Sequence, residues 1–366
     1  MIRVAVVGLG KMGLSHMALV RVHPKVELAA VCDASSYVLG VLEKNTGVRT
    51  FGDYSRMLAE VDLDAVIIAT PSSSHAGMVR EALDRGLHVF CEKPFTLSVE
   101  ESLELADTAK SRGLVSQVGY HNRFIGAFSE VKRLIDAGAI GDINHILGEA
   151  YGPVILKPKG ATWRTKRSEG GGALFDYAAH VINLVNWFAG EPEAVGGTVL
   201  GKVFSRQTED EVFSTFRFSD TTTAQICVNW SDESQRKMTT RVTAWGTQGR
   251  IFADRQEIQV YLREGANIPD GYEPGWNVRY TTELTEPVWF YLRGEEYSAQ
   301  IADFIDSIEA GRAGSVNDFA SAAATDRTIS MMLRDASAGM TTGASAGSAP
   351  AAEPGPRRRW WKRKAN

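Results

Sequence analysis

Cysteine is scarce: Cys32, Cys91 and Cys227 are the only three in 366 residues. They are widely spaced, and no Cys-x-x-Cys pair or Cys/His cluster accompanies them. Neither a disulfide framework nor a metal site is therefore expected, and the thiols read as small buried apolar groups in a reducing cytoplasm. Long apolar runs are also missing. The longest are short strands, well below the roughly 20 residues that span a bilayer, and Met1 leads straight into the first of them, leaving no room for a signal peptide. A cytoplasmic location is the expectation. Charge of one sign is not in excess either, with 40 basic and 44 acidic residues giving a net charge of −4. Residues 337–366 hold six of the basic residues and one acid, so the rest is more acidic than the total suggests. An acidic body argues against nucleic acid as the main partner. No internal repeat is evident. What is present, 44% hydrophobic and 23% charged residues, describes a globular chain long enough for two domains.

The most informative segment is the first. Ile2-Arg3-Val4-Ala5-Val6-Val7 runs into Gly8-Leu9-Gly10-Lys11-Met12-Gly13, followed by the helical pattern Met12, His16, Met17, Leu19, Val20. An apolar strand feeding a turn too tight for side chains, with a helix starting there, lets backbone N–H groups face a pyrophosphate. Gly8, Gly10, Lys11, Met12 and Gly13 are thus read as cofactor-binding. Asp33 ends the next apolar run, Glu27 to Cys32, where a carboxylate accepts hydrogen bonds from the adenosine ribose hydroxyls and repels a 2′-phosphate. Ala34-Ser35-Ser36 supplies no arginine for such a phosphate, so NAD is favoured over NADP. The plainer reading makes Asp33 a strand-end turn residue or the N-cap of the helix near Val38 to Lys44.

Asp64 to Ala69 and Leu87 to Cys91 are continuous apolar runs, as in strands buried on both faces of a parallel sheet. Helical segments His75 to Arg85 and Ser98 to Arg112 separate the strands, the second opening with a Ser98/Glu101 capping box. With Leu114 to Gly119, strands and helices alternate as in a doubly wound α/β domain, assigned to residues 1–122. A helix over Phe128 to Ala137 and a strand over Ile143 to Tyr151 begin a second, α+β domain, assigned to 123–336. A helix from Leu174 to Phe188 follows the triple glycine 170–172. Ala194 to Phe204, Glu211 to Phe218, Thr222 to Trp230, Thr239 to Trp245 and Arg250 to Leu262 then imply a large, mostly antiparallel sheet. Helices Glu296 to Ala310 and Asp318 to Arg334 are expected to pack back at the domain junction. Residues 337–366 are expected to be disordered. Their end, Arg357-Arg358-Arg359-Trp360-Trp361-Lys362-Arg363-Lys364, reads as a solvated terminus or as a weak, reversible contact with an anionic membrane surface.

Oxidising an alcohol with a nicotinamide cofactor needs a base for the hydroxyl proton and a cation for the developing alkoxide. Glu92-Lys93-Pro94 lies at the C-terminal end of a parallel strand, where ligands bind. A lysine there can donate to a substrate oxygen and depress the pKa of neighbouring acids. Asp176 and His180 stand four apart on the helix after the glycines and share one face. His180 suits a general base, and Asp176 could orient it or bind a hydroxyl. Read alone, each motif is as readily a surface pair or an exposed turn. Thr70 and Pro71 end a strand at the ligand edge, as do Tyr120 and Arg123. Trp163 could stack on a sugar ring, and Arg164 or Lys157 could bind an anion; core packing and surface charge are the plainer alternatives.

Together these features resemble the Gfo/Idh/MocA oxidoreductase family over residues 1 to about 335. The resemblance is carried by Gly-x-Gly-x-x-Gly with His16, Asp33, Ala69-Thr70-Pro71 with His75, Glu92-Lys93-Pro94, Gly119 with Asn122-Arg123-Phe124, and Gly-Gly-Gly-Ala-Leu followed by Asp176 and His180. It implies a Rossmann domain plus an open-faced sheet used for substrate binding and oligomerisation, with Lys93, Asp176 and His180 as the catalytic set. It also implies a homo-oligomer, dimer or tetramer. Thr70 and Pro71, by their place at the ligand edge, and His75, Glu92 and Lys93 are expected to border the cofactor; Tyr120, Arg123, Lys157, Trp163 and Arg164, by position and chemistry, and Asn183 are expected to border substrate. Family members often have aspartate where this chain has Asn183, which puts any ionic role there in doubt. The implied function is NAD-dependent oxidation of a secondary alcohol of a sugar, polyol or sugar derivative, or the reverse reduction. Two alternatives stay open: a glycosidase that uses NAD for transient oxidation, and a dinucleotide-binding sensor without turnover.

Overall fold

The computed structural model describes residues 1–155, 163–312 and 314–341. The N-terminal part alternates β1 (Ile2–Val7), α1 (Lys11–Val22), β2 (Val26–Cys32), α2 (Ser36–Thr46), β3 (Arg49–Phe51), α3 (Tyr54–Glu60), β4 (Ala65–Ile68), α4 (His75–Asp84), β5 (His88–Cys91), α5 (Val99–Ser111) and β6 (Ser116–Val118). All pairings are parallel, in the order β3-β2-β1-β4-β5-β6. The order reverses between β1 and β4, and in such sheets ligands bind beyond the strand ends at that point. Strand β3 and helix α3 were not anticipated from the sequence. Both are short, and a three-residue strand carries too few alternations to be recognised.

The central strands β1, β4 and β5 bury both faces. Ala5, Val7, Val66, Ile68, Val89 and Cys91 point to one side, packed by α3, α4 and α5 through residues such as Met57, Val79, Leu83 and Leu105. Val4, Val6, Val31, Ile67 and Phe90 point to the other, where α1 supplies Leu19 and Val20. The remaining cover on that side comes from far along the chain: α9 (Glu295–Glu309) inserts Tyr297, Ile301, Phe304 and Ile305.

Beyond β6 come α6 (Gly126–Asp136), β7 (Ile143–Tyr151), a π-helical turn Leu174–Ala178, α7 (Ala179–Ala189), β8 (Ala194–Gly201), β9 (Glu211–Arg217), β10 (Thr223–Asn229), β11 (Thr239–Gly246), β12 (Gly249–Ala253), β13 (Glu257–Leu262), β14 (Gly275–Tyr280) and α8 (Thr281–Leu284). These eight strands form a second sheet, antiparallel except for β7 beside β10. Arg250 to Leu262, expected as one strand, is two. Asp254 Oδ1 accepts from the amides of Gln256 and Glu257 and turns the chain between β12 and β13. Helix α7 packs on one face, and Gly148 of β7 has no room for a Cβ because Val181 would lie 2.4 Å from it. The opposite face has no element of this chain over it among the described residues, and its apolar groups are exposed at Val199, Phe213, Tyr261, Trp276, Val278 and Tyr280.

Helix α10 spans Phe319–Thr341 and packs on α5, α7 and β8. Ser337 to Thr341, expected to be disordered, are helical; the basic end of the chain lies outside the described residues. Among the described residues, no helix is long and apolar enough to cross a membrane, and no group of three or more His, Cys, Asp or Glu side chains is assembled as a metal site.

Candidate active site

The glycine loop is shaped by close approaches. Gly8 sits at φ +83°, and a Cβ there would lie 2.7 Å from the Ala69 carbonyl oxygen. At Gly13 a Cβ would fall 1.6 Å from the Gly8 carbonyl oxygen. Around Gly10, in contrast, there is open space, and this N-cap of α1 has no side-chain cap. With no side chain capping it, the positive end of α1 faces this space, the setting a pyrophosphate requires. Lys11 is exposed at the first turn and Met12 half-buried beneath it. Asp33 Oδ2 accepts from Leu9 N at 2.5 Å and Oδ1 from Ser35 N at 2.7 Å, so the carboxylate braces the glycine loop itself. The N-cap of α2 is Ser35, not Asp33.

Thr70 and Pro71 flank this loop, with Thr70 Cγ2 2.8 Å from the position of a Gly8 Cβ. His75 and Glu92, expected to border the cofactor, are both held by buried contacts of their own. His75 is 1% exposed, with Nε2 3.0 Å from the Thr70 carbonyl oxygen and Nδ1 2.9 Å from that of Pro94; burial keeps the ring neutral, so one nitrogen donates and ties it to one of the two loops. Glu92 Oε1 meets His16 Nε2 at 2.7 Å and Oε2 accepts from Lys93 N, beneath Gly119, where a Cβ would strike the carboxylate. Burial works against the Glu92 charge, but the contacts from His16 and Lys93 hold its pKa below the ordinary value.

Lys93, just beyond β5, meets the π turn that precedes α7. Its Nζ donates to Asp176 Oδ1 at 2.8 Å and to the Asp176 carbonyl oxygen at 3.0 Å. Asp176 Oδ2 accepts from Arg164 Nε at 2.8 Å. Burial would raise the Asp176 pKa, yet the charges of Lys93 and Arg164 more than offset it and keep the carboxyl ionised. The π turn explains the placement. One extra residue in the turn sends Asp176 towards Lys93, and the carboxylate's hydrogen bonds go to Lys93 and Arg164 rather than to His180. An orienting role of Asp176 on His180 is therefore not what the structure shows.

His180, 4% exposed, stands one turn on, with its Nδ1 unpartnered among the described residues. Its ring is edge-on to Tyr120 at 5.8 Å and to His121 at 4.8 Å between centroids. Burial, Lys93 and Arg255 push its pKa well below the ordinary 6.5, so the imidazole is neutral at physiological pH. His121, Arg255 with its ion-pair partner Glu296, and Tyr297 stacked on His121 were not anticipated as neighbours. They come from distant segments and carry no shared motif.

Arg123 and Asn183 are set apart from a substrate role. Arg123 Nε donates to Asn183 Oδ1 at 2.8 Å, its terminal nitrogens donate to the Val316 and Asn183 carbonyls, and Asn183 Nδ2 donates to Thr325. Each is at least nine-tenths buried, so the pair braces α7 and α10. Trp163 lies under the Arg164 guanidinium, 4.6 Å from ring centroid to Cζ. Lys157 lies outside the described residues.

Residues 2–120 match a family model described as an oxidoreductase family with an NAD-binding Rossmann fold, and residues 128–252 match the Gfo/Idh/MocA C-terminal domain. The chain belongs to the Gfo/Idh/MocA oxidoreductase family. It is similar to scyllo-inositol 2-dehydrogenase (NAD(+)) of Bacillus subtilis (strain 168), with 30% identity over 296 residues, 77% of this chain and 84% of that protein. GenD2 from gentamicin A biosynthesis, solved with NAD, aligns at TM-score 0.74 and 26% identity over 92% of this chain and 95% of that one. Levoglucosan dehydrogenase, solved with NADH, shares the fold at TM-score 0.80 and 23% identity, over 92% and 97%. This Gfo/Idh/MocA protein is thus an NAD-dependent oxidoreductase whose uncapped α1 terminus and glycine cradle fit a dinucleotide.

Proposed function

We propose that this enzyme oxidises a secondary hydroxyl of a cyclic polyol or sugar, with Lys93 and His180 acting on the hydroxyl. NAD, when bound, supplies the hydride acceptor. The observation that carries the reading is the Lys93–Asp176 contact of 2.8 Å between the end of β5 and the π turn, with neutral His180 one turn away. Lys93 donates to the substrate oxygen and steadies the charge that develops on it, Asp176 is the counter-ion of Lys93, and His180 takes the hydroxyl proton. Asp33 is assigned to the adenosine ribose, and Thr70 and Pro71 to the nicotinamide side of the cleft. Trp163 is assigned to stack on a sugar ring with the face not covered by Arg164. The substrate class is supported by the inositol and levoglucosan dehydrogenases among the relatives. The uncovered apolar face of the second sheet supports a homo-oligomer joined through it, and the cysteine usage supports a cytoplasmic setting.

A panel of scyllo- and myo-inositol, hexoses, uronates and UDP-sugars with NAD tests the proposal. Stoichiometric NADH with one neutral polyol or sugar is expected. Cleavage of a glycoside without accumulating NADH would replace it with the glycosidase reading, and binding without turnover of any member would leave the sensor.

A further inference from the structure

Lys93 has three N–H donors, and among the described residues two of them are committed, to Asp176 Oδ1 and to the Asp176 carbonyl oxygen. Where the third points depends on how the Asp176 carboxylate is held. Its second oxygen is gripped by Arg164 Nε, and Arg164 is itself a built feature. Its carbonyl oxygen accepts from Gly172 N at 3.1 Å and from Thr208 Oγ1 at 3.3 Å. Gly171 passes so close that a Cβ would lie 2.5 Å from the carbonyl oxygens of both Trp163 and Arg164. Gly172, at φ +106°, leaves room for Glu209, whose buried carboxylate accepts from Arg167 Nη1 and from Leu174 N. The triple glycine therefore holds the Arg164 backbone at Gly171 and Gly172, beside the Glu209 anchor of the same segment, and the guanidinium from there reaches Asp176.

Resting on the reading of Lys93 given above, we propose that Arg164 is the positioning residue of the Lys93–Asp176 pair, not a receptor for an anionic group on the substrate. Its guanidinium fixes the plane of the carboxylate, and the carboxylate fixes the one lysine N–H left for the substrate oxygen. The groups facing Asp176 are Lys93 from the end of β5, Arg164 from the preceding loop, and Tyr177 and His180 on its own helix. The Glu209–Arg167 pair lies beneath the Gly172 to Leu174 backbone.

The test is an NMR titration of the Asp176 carboxyl in full-length, NAD-loaded protein labelled at aspartate, assigned with Asp176→Asn. Arg164→Gln is expected to raise the Asp176 midpoint by about one pH unit or more, the effect of removing an adjacent guanidinium, while Arg164→Lys keeps it close to wild type. With scyllo-inositol as probe, Arg164→Lys is expected to lower kcat and leave KM unchanged, since charge persists but the planar grip does not. An unmoved midpoint in Arg164→Gln would overturn the inference, as would wild-type kcat in Arg164→Lys or a KM rise confined to glucuronate. Should Arg164→Gln not fold, the Arg164→Lys kinetics decide alone. Lys93→Ala serves as control: full turnover there refutes the reading of Lys93, while a dead Lys93→Ala beside an unmoved Asp176 midpoint refutes only the role of Arg164.

Discussion

His180 is the residue whose surroundings say most about the chemistry. A histidine in water is half-protonated near pH 6.5, but burial beside Lys93 and Arg255 disfavours the imidazolium. The sign follows directly: lowering the pH protonates this ring only well below its ordinary value, so the base stays available. The pH profile of kcat/KM for polyol oxidation is therefore expected to stay level as pH falls through 6.5. His180→Asn, which cannot take the proton, is expected to lose about 10²–10⁴-fold in kcat. At this scale the motif residues were legible, because Lys93 and His180 sit at strand and helix ends recognisable from local pattern. Their pairing was not. Spacing placed Asp176 over His180 on one helical face, but a π turn redirected it to Lys93, 83 positions earlier in the chain. Likewise Arg123 and Asn183 carry the polarity of ligand-binding groups, and only tertiary packing shows that they satisfy each other.

Among the elements, the junction of α5 with α10 holds the carboxyl most displaced from its ordinary behaviour. Asp326 of α10 is buried and accepts from Ser102 Oγ at 2.6 Å and Thr96 N at 3.3 Å, with Oδ1 unpartnered among the described residues. Burial pushes its pKa up from 3.8 to about 7, against the smaller opposing effect of those two hydrogen bonds. A carboxyl whose folded pKa is raised binds its proton more tightly in the native state, so stability falls as pH rises from about 4 to 7, by about 1.4 kcal/mol for each pH unit separating the unfolded and folded midpoints. Asp326→Asn keeps the acceptor and removes the charge. Its Tm is expected to exceed that of wild type at pH 8 and to vary less between pH 5 and 8, measured by calorimetry; equal pH dependence in both proteins would contradict the assignment. Strands and helices with long periodic runs were readable from sequence, whereas β14 was missed because Trp276, Val278 and Tyr280 alternate onto the uncovered face rather than into the core.

Across the whole molecule, the nucleotide half is not built from contiguous sequence. Helix α9 covers the face of the parallel sheet around Val4, Ile67 and Phe90, although it follows β6 only after the whole of the second sheet. Residues 1–122 expressed alone are expected to lack a cooperative thermal transition and to bind no NAD. Phe304→Ala, which empties a fully buried site, is expected to cost about 3–5 kcal/mol in the full chain; an NAD-binding 1–122 fragment would contradict this. Alternating strands and helices announced the parallel sheet, but nothing local in Tyr297, Ile301, Phe304 and Ile305 tells which sheet their apolar stripe will cover.

The central claim is that a lysine just beyond β5 and a histidine of α7 act on one hydroxyl. Steady-state kinetics of Lys93→Ala with the polyol or sugar that the panel identifies, alongside NAD binding by calorimetry, tests it most directly. The account predicts that kcat falls by about 10²–10⁴-fold while NAD affinity is retained; normal turnover, or loss of NAD binding as the whole effect, would contradict it.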